Sequence, residues 1–306
     1  MLKKKKRLLI TLALSVSVFI SGCALPGLSG PAKNTIAVGT LGTSESQIMG
    51  NIVKLMIEHY TGAQVEMVNN LGSSIVQHKA MMNGDVDITA TRYTGTDLAG
   101  ALGMEPVNDP TEALETVQRE FKEQFDQTWF DSYGFDNSYA FTVTREMAEK
   151  HNLETVSDLE PLVSELKFGV DNAWLKRKGD GYEGFVEEYG FRFAKAFPMQ
   201  IGLVYQAAAN GKMDVVLAYT TDGRIKSFDL KVLKDDKHFF PPYDTSLVAR
   251  NEVLEKHEGL KEALQKLSGK INTEKMQELN YEADGKMREP SVIAKEFLQE
   301  NNYFEG

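Results

Sequence analysis

Residues 83–97 (NGDVDITATRYTGTD) and residues 210–222 (NGKMDVVLAYTTD) indicate how this chain folds. Both start with Asn-Gly, which suits the left-handed residue that closes a helix. Both then continue through an aspartate and a short β-branched stretch to a tyrosine, and the stretch from the asparagine to the tyrosine is one residue shorter in the second copy. Two copies of one helix–turn–strand unit favour two lobes of like construction, with chance similarity between common connections as the alternative.

The segments before the first copy alternate between strand and helix patterns. Ser44 and Gln47 fit a capping box, and the helix they begin is expected to end near Gly62. The predicted elements are, in order, a strand at 35–39, that helix, a strand at 65–68 and a helix at 73–82. Such alternation predicts the α/β class, with a parallel sheet covered by helices on both faces.

A second pair of similar segments lies at residues 139–151 and 243–257, where a tyrosine opens a strand that runs into a charged, Arg-led helix. Tyr139 and Tyr243 would then lie where the chain passes between lobes. Tyr93 and Tyr219 end strands, and open α/β sheets bind ligands at the carboxyl ends of their strands. We therefore expect four tyrosines on one cleft between the lobes, although any one of them alone would more often be a core or surface residue.

The N-terminus has the pattern of a targeting segment. A basic cluster at residues 3–7 precedes a 13-residue apolar run at 8–20, which is short for a membrane span but typical of a signal peptide. The run ends in Ile-Ser-Gly before Cys23, the only cysteine, and resembles a bacterial lipobox. We predict a signal peptide at 1–22, lipidation at Cys23 and a flexible Gly/Pro/Ser-rich tether at 23–34. The alternative is an ordinary secretory signal with an incidental cysteine.

Composition and missing motifs exclude several classes of protein. The 306 residues include 44 acidic and 34 basic side chains, and a formal charge of −10 argues against nucleic-acid binding. The chain contains no Gly-x-Ser-x-Gly, His-Glu-x-x-His or Walker A sequence. Residues 179–184 match Gly-x-Gly-x-x-Gly, but they follow no buried strand and are expected to form a surface loop. We predict no catalytic residues, no metal and no cofactor.

The chemistry of four tyrosine rings favours a cationic ligand. A methylated ammonium cannot donate hydrogen bonds, so its recognition depends on negative aromatic faces. A carboxylate on the same ligand would need N–H or O–H donors. The start of the helix at Ser44, the turn at Thr94 and the hydroxyl of Thr96 are candidates for these donors.

Five motifs together resemble the substrate-binding lipoproteins of osmoprotectant ABC importers, the OpuB/OpuC group that binds choline, glycine betaine and carnitine. They are NLGSS at 70–74, RYTGTD at 92–97, FDSYGF at 130–135, GDGYEG at 179–184 and FFPPY at 239–243. The resemblance runs from the lipobox to the C-terminus. It implies a two-lobed periplasmic-binding-protein (type II) fold with two interlobe crossovers.

The resemblance also implies an aromatic cage, which falls on Tyr93, Tyr139, Tyr219 and Tyr243. In this group, Thr at position 96 goes with a broad substrate range and Asp with a preference for choline. Leu41 is a departure, because relatives often carry Gln there, and a possible polar contact to the ligand is thereby removed.

Taken together, these features predict lobe I at 35–138 and 244–306, and lobe II at 139–243. We predict a Gram-positive-type lipoprotein that is anchored by its lipid to the extracellular face of the cell membrane. Its predicted function is to deliver quaternary ammonium solutes to an ABC permease. We expect a monomer. Two alternatives stay open: a choline-preferring protein of the same fold, and a lipoprotein enzyme or adhesin in which the tyrosines are structural.

Overall fold

The computed structural model describes residues 35–105, 107–176 and 181–304. The predicted signal peptide, Cys23 and the tether lie outside the described residues. Within the described residues the strands form two sheets of five strands each. None of the described helices is long and apolar enough to cross a bilayer.

The first sheet is built from both ends of the chain. Its strand order is β2-β1-β3-β10-β4, with β1 parallel to β3 and with β10 antiparallel to both β3 and β4. The N-terminal elements are β1 (Thr35–Leu41), α1 (Ser44–Thr61), β2 (Gln64–Leu71), α2 (Ser74–Asn83), β3 (Ile88–Tyr93), α3 (Thr94–Gly100), α4 (Pro110–Phe125) and β4 (Gln127–Trp129).

The second sheet is built from the middle of the chain, in the order β7-β6-β8-β5-β9. Its elements are β5 (Tyr139–Thr144), α5 (Arg145–His151), a 3₁₀ helix (Ser157–Leu162), β6 (Lys167–Asp171), α6 (Asn172–Lys176), α7 (Tyr182–Tyr189), β7 (Lys195–Met199), α8 (Ile201–Ala209), β8 (Val215–Tyr219), α9 (Gly223–Ser227) and β9 (Leu230–Val232). The chain then returns to the first sheet through β10 (Thr245–Arg250), α10 (Asn251–Lys256), α11 (Leu260–Gln265), α12 (Thr273–Asp284) and α13 (Pro290–Glu300).

Two connections join the sheets, one between β4 and β5 and one between β9 and β10. They touch each other through an isolated antiparallel bridge between Asp136 and Asp244. The predicted α/β class with two lobes and two crossovers is confirmed. The lobe boundaries at 138/139 and 243/244 stay a prediction, which the strand assignment supports because β5 begins at Tyr139 and β10 at Thr245.

The two repeated segments occupy equivalent places in the two sheets. Gly84 and Gly211 have φ values of +79° and +66°, and each follows a helix. The Asp87 carboxylate accepts a hydrogen bond from the backbone N–H of Ala37 at 2.9 Å, and the Asp214 carboxylate accepts one from Lys167 at 2.7 Å. Each aspartate therefore ties the start of its strand to the neighbouring parallel strand, a structural use of the side chain.

The predicted cap of the first helix is wrong by one residue. Thr43, and not Ser44, is the N-cap, and its hydroxyl accepts a hydrogen bond from the N–H of Ser46 at 3.3 Å. Gln47 does not reach back to the cap, because its amide donates to the Asn70 side chain at 3.2 Å. The predicted end is confirmed, since Gly62 closes α1 with a φ of +66°.

The two sheets are packed by different cores. Under the first sheet, aliphatic residues of α1 such as Ile48 and Ile52 pack against β1, β3 and the C-terminal helices. Under the second, aromatic rings dominate, and Phe141 stands 5.4 Å from Phe168 and 4.6 Å from Phe185 between ring centroids. Burial of such side chains contributes about 1.5–3 kcal/mol each and gives both sheets a stable platform for the residues at their edges.

Candidate functional site

A cleft of about 1150 Å³ brings together the tyrosines that the sequence pointed to. Tyr93, Tyr139, Tyr219 and Tyr243 all line it, together with Thr96 and Leu41. The other lining residues are Thr43, Gly95, Ala99, Gly100, Asn108, Asn137, Gly184, Glu187, Glu188, Lys237, His238, Phe239 and Pro241. Because these residues come from the elements of both sheets, the cleft lies between the two lobes.

Strand ends position three of the four rings. Tyr139 and Tyr219 lie directly opposite each other on β5 and β8, with ring centroids 5.0 Å apart and an interplanar angle of 36°. The backbone N–H of Tyr219 donates to the Tyr205 hydroxyl at 3.0 Å, which holds the end of β8 against α8. On the other side, Tyr93 ends β3 and is paired with Thr245 of β10, two residues after Tyr243.

A glycine lets the second crossover approach the first lobe. The N–H of Gly95 donates to the carbonyl of Pro242 at 3.0 Å. A Cβ atom at Gly95 would stand 2.8 Å from that carbonyl oxygen and 3.3 Å from Cε1 of Tyr243. Only glycine leaves room for this contact, so the Thr-Gly-Thr turn sets the place of the Tyr243 ring.

The three candidate donors for a carboxylate lie in different surroundings. Thr96 lies in the first turn of α3 and lines the cleft. Thr94 is fully buried, and its hydroxyl donates to the Pro242 carbonyl at 2.9 Å. The Ser44 hydroxyl donates to the Asp284 carboxylate at 2.5 Å. Neither Thr94 nor Ser44 is among the residues that line the cleft, so Thr96 alone of the three lies on the cleft wall, and contact of any of them with a ligand stays a prediction.

A buried ion pair stabilises the Thr-Gly-Thr turn at residues 94–96. Arg92 and Asp97 are both almost completely buried, and Nε of Arg92 donates to Oδ2 of Asp97 at 2.8 Å. The guanidinium also lies 5.3 Å from the ring centroid of Phe121 and 5.9 Å from that of Trp129. This pair clamps the two ends of the RYTGTD motif and accounts for its two charged residues without assigning them to the ligand.

Two residues of the site have no signal in the sequence patterns. Asn137 lies on the first crossover and lines the cleft, and its Nδ2 donates to Oε1 of Glu45 at 3.0 Å. The same oxygen accepts a hydrogen bond from the Tyr93 hydroxyl at 2.9 Å. Glu45 is an ordinary acidic residue in the first turn of a helix by sequence, and only its burial, with 4% of its surface exposed, shows that it belongs to the site.

Burial controls the electrostatics near the crossovers. Burial raises the pKa of Glu45, against the opposing effect of the polar side chains of Thr221, Tyr93 and Asn137. Burial, and then the nearby charge of Asp244, raise the pKa of Asp136 to about 7. Burial and the adjacent Glu45 charge raise the pKa of Tyr93 well above its usual range, so this phenol stays neutral and acts as a donor.

The lining residues suit binding rather than covalent chemistry. Aromatic faces attract an alkylated cation, and the Thr96 hydroxyl offers hydrogen bonds to an anionic group on the same molecule. Among the described residues, no group of three or more His, Cys, Asp or Glu side chains could hold a metal ion.

Comparisons with known proteins place this chain in a family. The family model of the substrate binding domain of ABC-type glycine betaine transport systems matches residues 34–300. The carnitine transport binding protein OpuCC of Listeria monocytogenes is 60% identical over 306 residues, which is 100% of this chain and 99% of that protein.

Two solved structures are also similar. A glycine betaine/carnitine/choline ABC transporter structure is 56% identical with a TM-score of 0.86, and the match covers 88% of this chain and 100% of that one. The fold is shared with lactococcal OpuAC in its closed-liganded form with glycine betaine, at a TM-score of 0.55, 13% identity and coverages of 89% and 100%. The chain belongs to the family of substrate-binding domains of ABC-type glycine betaine transport systems.

Proposed function

We propose that this protein captures glycine betaine, carnitine and choline in the cleft and delivers them to the permease subunits of an ABC importer for osmoprotective uptake. The observation that carries the proposal is that Tyr93, Tyr139, Tyr219 and Tyr243 all line one cleft between two lobes. The protein binds and releases its ligand unchanged and is not an enzyme.

The energetics of aromatic recognition are sufficient for this role. Each ring contributes about 0.5–2 kcal/mol to binding a desolvated cation, so four rings supply several kcal/mol. Micromolar affinity requires about 8 kcal/mol in total, and the remainder would come from burial of the methyl groups and from hydrogen bonds to the carboxylate. Thr96 carries no charge that would repel a carboxylate, which favours a broad range over a preference for choline.

Closure of the cleft is the proposed mechanism. In the described residues the chain passes between the two sheets only through the two crossovers, and such paired segments allow one lobe to rotate towards the other. The lobes also touch through α9 and α12, where Lys226 pairs with Glu278 at 2.6 Å. A ligand that contacts tyrosines of both lobes binds the closed form better and therefore shifts the population towards it. The permease would then recognise the closed form.

The proposal includes the location of the protein. The lipobox-like sequence before Cys23 supports a lipid anchor on the extracellular face of the membrane, and we propose that the protein acts there as a monomer.

Calorimetric titration of the purified protein with glycine betaine, carnitine and choline tests the function directly. We expect micromolar binding of the carboxylated ligands, with glycine as a matched control that shares the carboxylate but carries a strongly hydrated ammonium. Binding of choline alone would support the choline-preferring alternative. A folded protein that binds none of the three would contradict the proposal and leave the tyrosines a structural role.

A further inference from the structure

Glu45 is an unusual residue for its position. It lies in the first turn of α1, next to the cleft but not among the residues that line it, and only 4% of its surface is exposed. Carboxylates are almost never buried to this extent unless a partner compensates for the lost hydration. In the described part of the chain, the groups that favour the ionised form of this carboxylate are the uncharged side chains of Thr221, Tyr93, Asn137 and Asn280, whereas the Asp136 carboxyl lies near enough to act on it as a like charge.

One oxygen of this carboxylate holds two cleft residues that come from different elements. Oε1 accepts from the Tyr93 hydroxyl at 2.9 Å and from Nδ2 of Asn137 at 3.0 Å. Tyr93 ends β3 in the first sheet, whereas Asn137 lies on the first crossover. A carboxylate can only accept hydrogen bonds, so it dictates that the phenol and the NH₂ end of the amide both point towards it.

These hydrogen bonds have an electronic consequence for the Tyr93 ring. A phenol that donates to a carboxylate gains electron density, and its π face becomes more negative. When Glu45 is ionised, its buried charge is also poorly screened by water and adds to the attraction of a cation to this side of the cleft. Both effects stabilise a cation that contacts the ring face, and neither stabilises a neutral group of the same shape.

We propose that Glu45 is a positioning and specificity-determining residue of the cleft. It orients the Tyr93 ring and the Asn137 amide, and through Tyr93 it makes the cleft more attractive to a cationic head group. This inference rests on the proposed function, because it concerns how the same cleft selects a quaternary ammonium ligand.

The test is a double-mutant cycle on glycine betaine affinity with Glu45→Gln and Tyr93→Phe. Glu45→Gln keeps the shape and one acceptor oxygen but removes the charge, and we expect affinity to fall on the order of tenfold. Tyr93→Phe keeps the ring but removes the hydroxyl through which Glu45 acts. If Glu45 acts through Tyr93, adding Glu45→Gln to Tyr93→Phe costs markedly less than it costs in the wild type.

A merely structural role for Glu45 gives a different result. In that case, Glu45→Gln would weaken binding by the same factor in both backgrounds, or would leave affinity unchanged in a folded protein, and either result overturns the proposal. Glu58→Gln is the matched control, because it makes the same change on the same helix at a partly exposed ion pair with Lys54. We expect it to leave affinity unchanged.

Two further outcomes are covered by the design. If Glu45→Gln does not fold, Tyr93→Phe alone decides, since affinity within twofold of the wild type would show that the hydroxyl and its carboxylate partner are dispensable. If the wild type itself binds no glycine betaine, carnitine or choline, the proposed function fails and this inference fails with it. If the wild type binds but the cycle is additive, only the inference fails.

Discussion

Tyr139 and Tyr219 face each other across antiparallel strands, with ring centroids 5.0 Å apart and hydroxyl oxygens 3.4 Å apart. The first of these residues follows a crossover and the second ends a strand, so the pair forms one wall of the cleft in lobe II. Phe240 of the aromatic core packs against Tyr139, with a centroid distance of 6.0 Å, and does not itself line the cleft. This wall is rigid because register pairing continues for five residue pairs, from Tyr139 opposite Tyr219 to Val143 opposite Val215.

Truncation of this wall should weaken binding without unfolding the protein. We expect Tyr219→Ala to lower glycine betaine affinity roughly 3- to 30-fold, because one aromatic face is lost. Tyr219→Phe retains that face and should bind within about threefold of the wild type. Calorimetry measures affinity, and urea denaturation measures the free energy of unfolding.

Tyr60→Ala is the control for Tyr219→Ala, since Tyr60 lies on α1 with 36% of its surface exposed. It should not affect binding. Loss of folding in Tyr219→Ala, with normal binding in whatever folds, would show that the ring is a structural residue.

Thr96→Asp should change selectivity. A carboxylate at this position repels the carboxylate of glycine betaine or carnitine but not the hydroxyl of choline, so we expect the affinity ratio to move about tenfold towards choline. Parallel titrations with the three ligands measure that ratio. Thr111→Asp introduces the same charge at an exposed site in the first turn of α4 and should leave the ratio unchanged. Equal losses for all three ligands would contradict the placement of Thr96 beside the carboxylate.

Gly95→Ala should disturb both binding and stability. Its Cβ would stand 2.8 Å from the Pro242 carbonyl, so the second crossover must move and carry the Tyr243 ring with it. Overpacking of this kind costs about 1–3 kcal/mol of unfolding free energy. Gly72→Ala serves as the control, because a Cβ there meets nothing within 4 Å. An unchanged affinity in Gly95→Ala would show that the position of Tyr243 tolerates the shift.

Asp136 should make stability depend on pH in a particular direction. Its pKa is raised from an ordinary value of 3.8 to about 7, mainly by burial. The folded state therefore binds more protons than the unfolded state between these values, and the free energy of unfolding falls as pH rises through that window. A single carboxyl group can change the free energy of unfolding by at most about 1.4 kcal/mol for each step of one in pH.

Asp136→Asn isolates this contribution. The amide oxygen can still accept the hydrogen bond that Asp136 accepts from the Tyr243 N–H at 3.0 Å, but nothing titrates. In urea denaturation at pH 5, 6, 7 and 8, the free energy of unfolding of the variant should increase relative to that of the wild type as pH rises. For the control Asp131→Asn, at an exposed position in the same segment, the difference from the wild type in free energy of unfolding should not depend on pH. A flat difference for Asp136→Asn as well would mean that its carboxyl is ionised throughout.

The repeated helix–turn–strand units of the fold were predictable because they depend on residues that are neighbours in sequence. The Asn-Gly turns at residues 83–84 and 210–211 require a left-handed residue wherever they occur, and the aspartates that follow them tie equivalent strands in both sheets. The sequence places the helix cap one residue late, because Ser44 is by type the better N-cap of the two neighbours Thr43 and Ser44. The choice between them involves Asp284, which lies 240 residues away and binds the Ser44 hydroxyl.

The sequence alone determined the α/β class, the two like halves and the choice of the four tyrosines as cleft residues. These features follow from local patterns, because strand-forming and helix-ending residues act on their neighbours in the chain. A tyrosine next to a strand end is therefore placed at the edge of the sheet in any fold of this class. Only the tertiary structure decided that Thr96 faces the cleft while Thr94 turns away, and that Glu45 lies buried behind Tyr93 and Asn137. Burial and hydrogen-bond partners depend on which distant segments meet. A carboxylate in a first helical turn has the same sequence pattern whether water or two donors from other elements surround it.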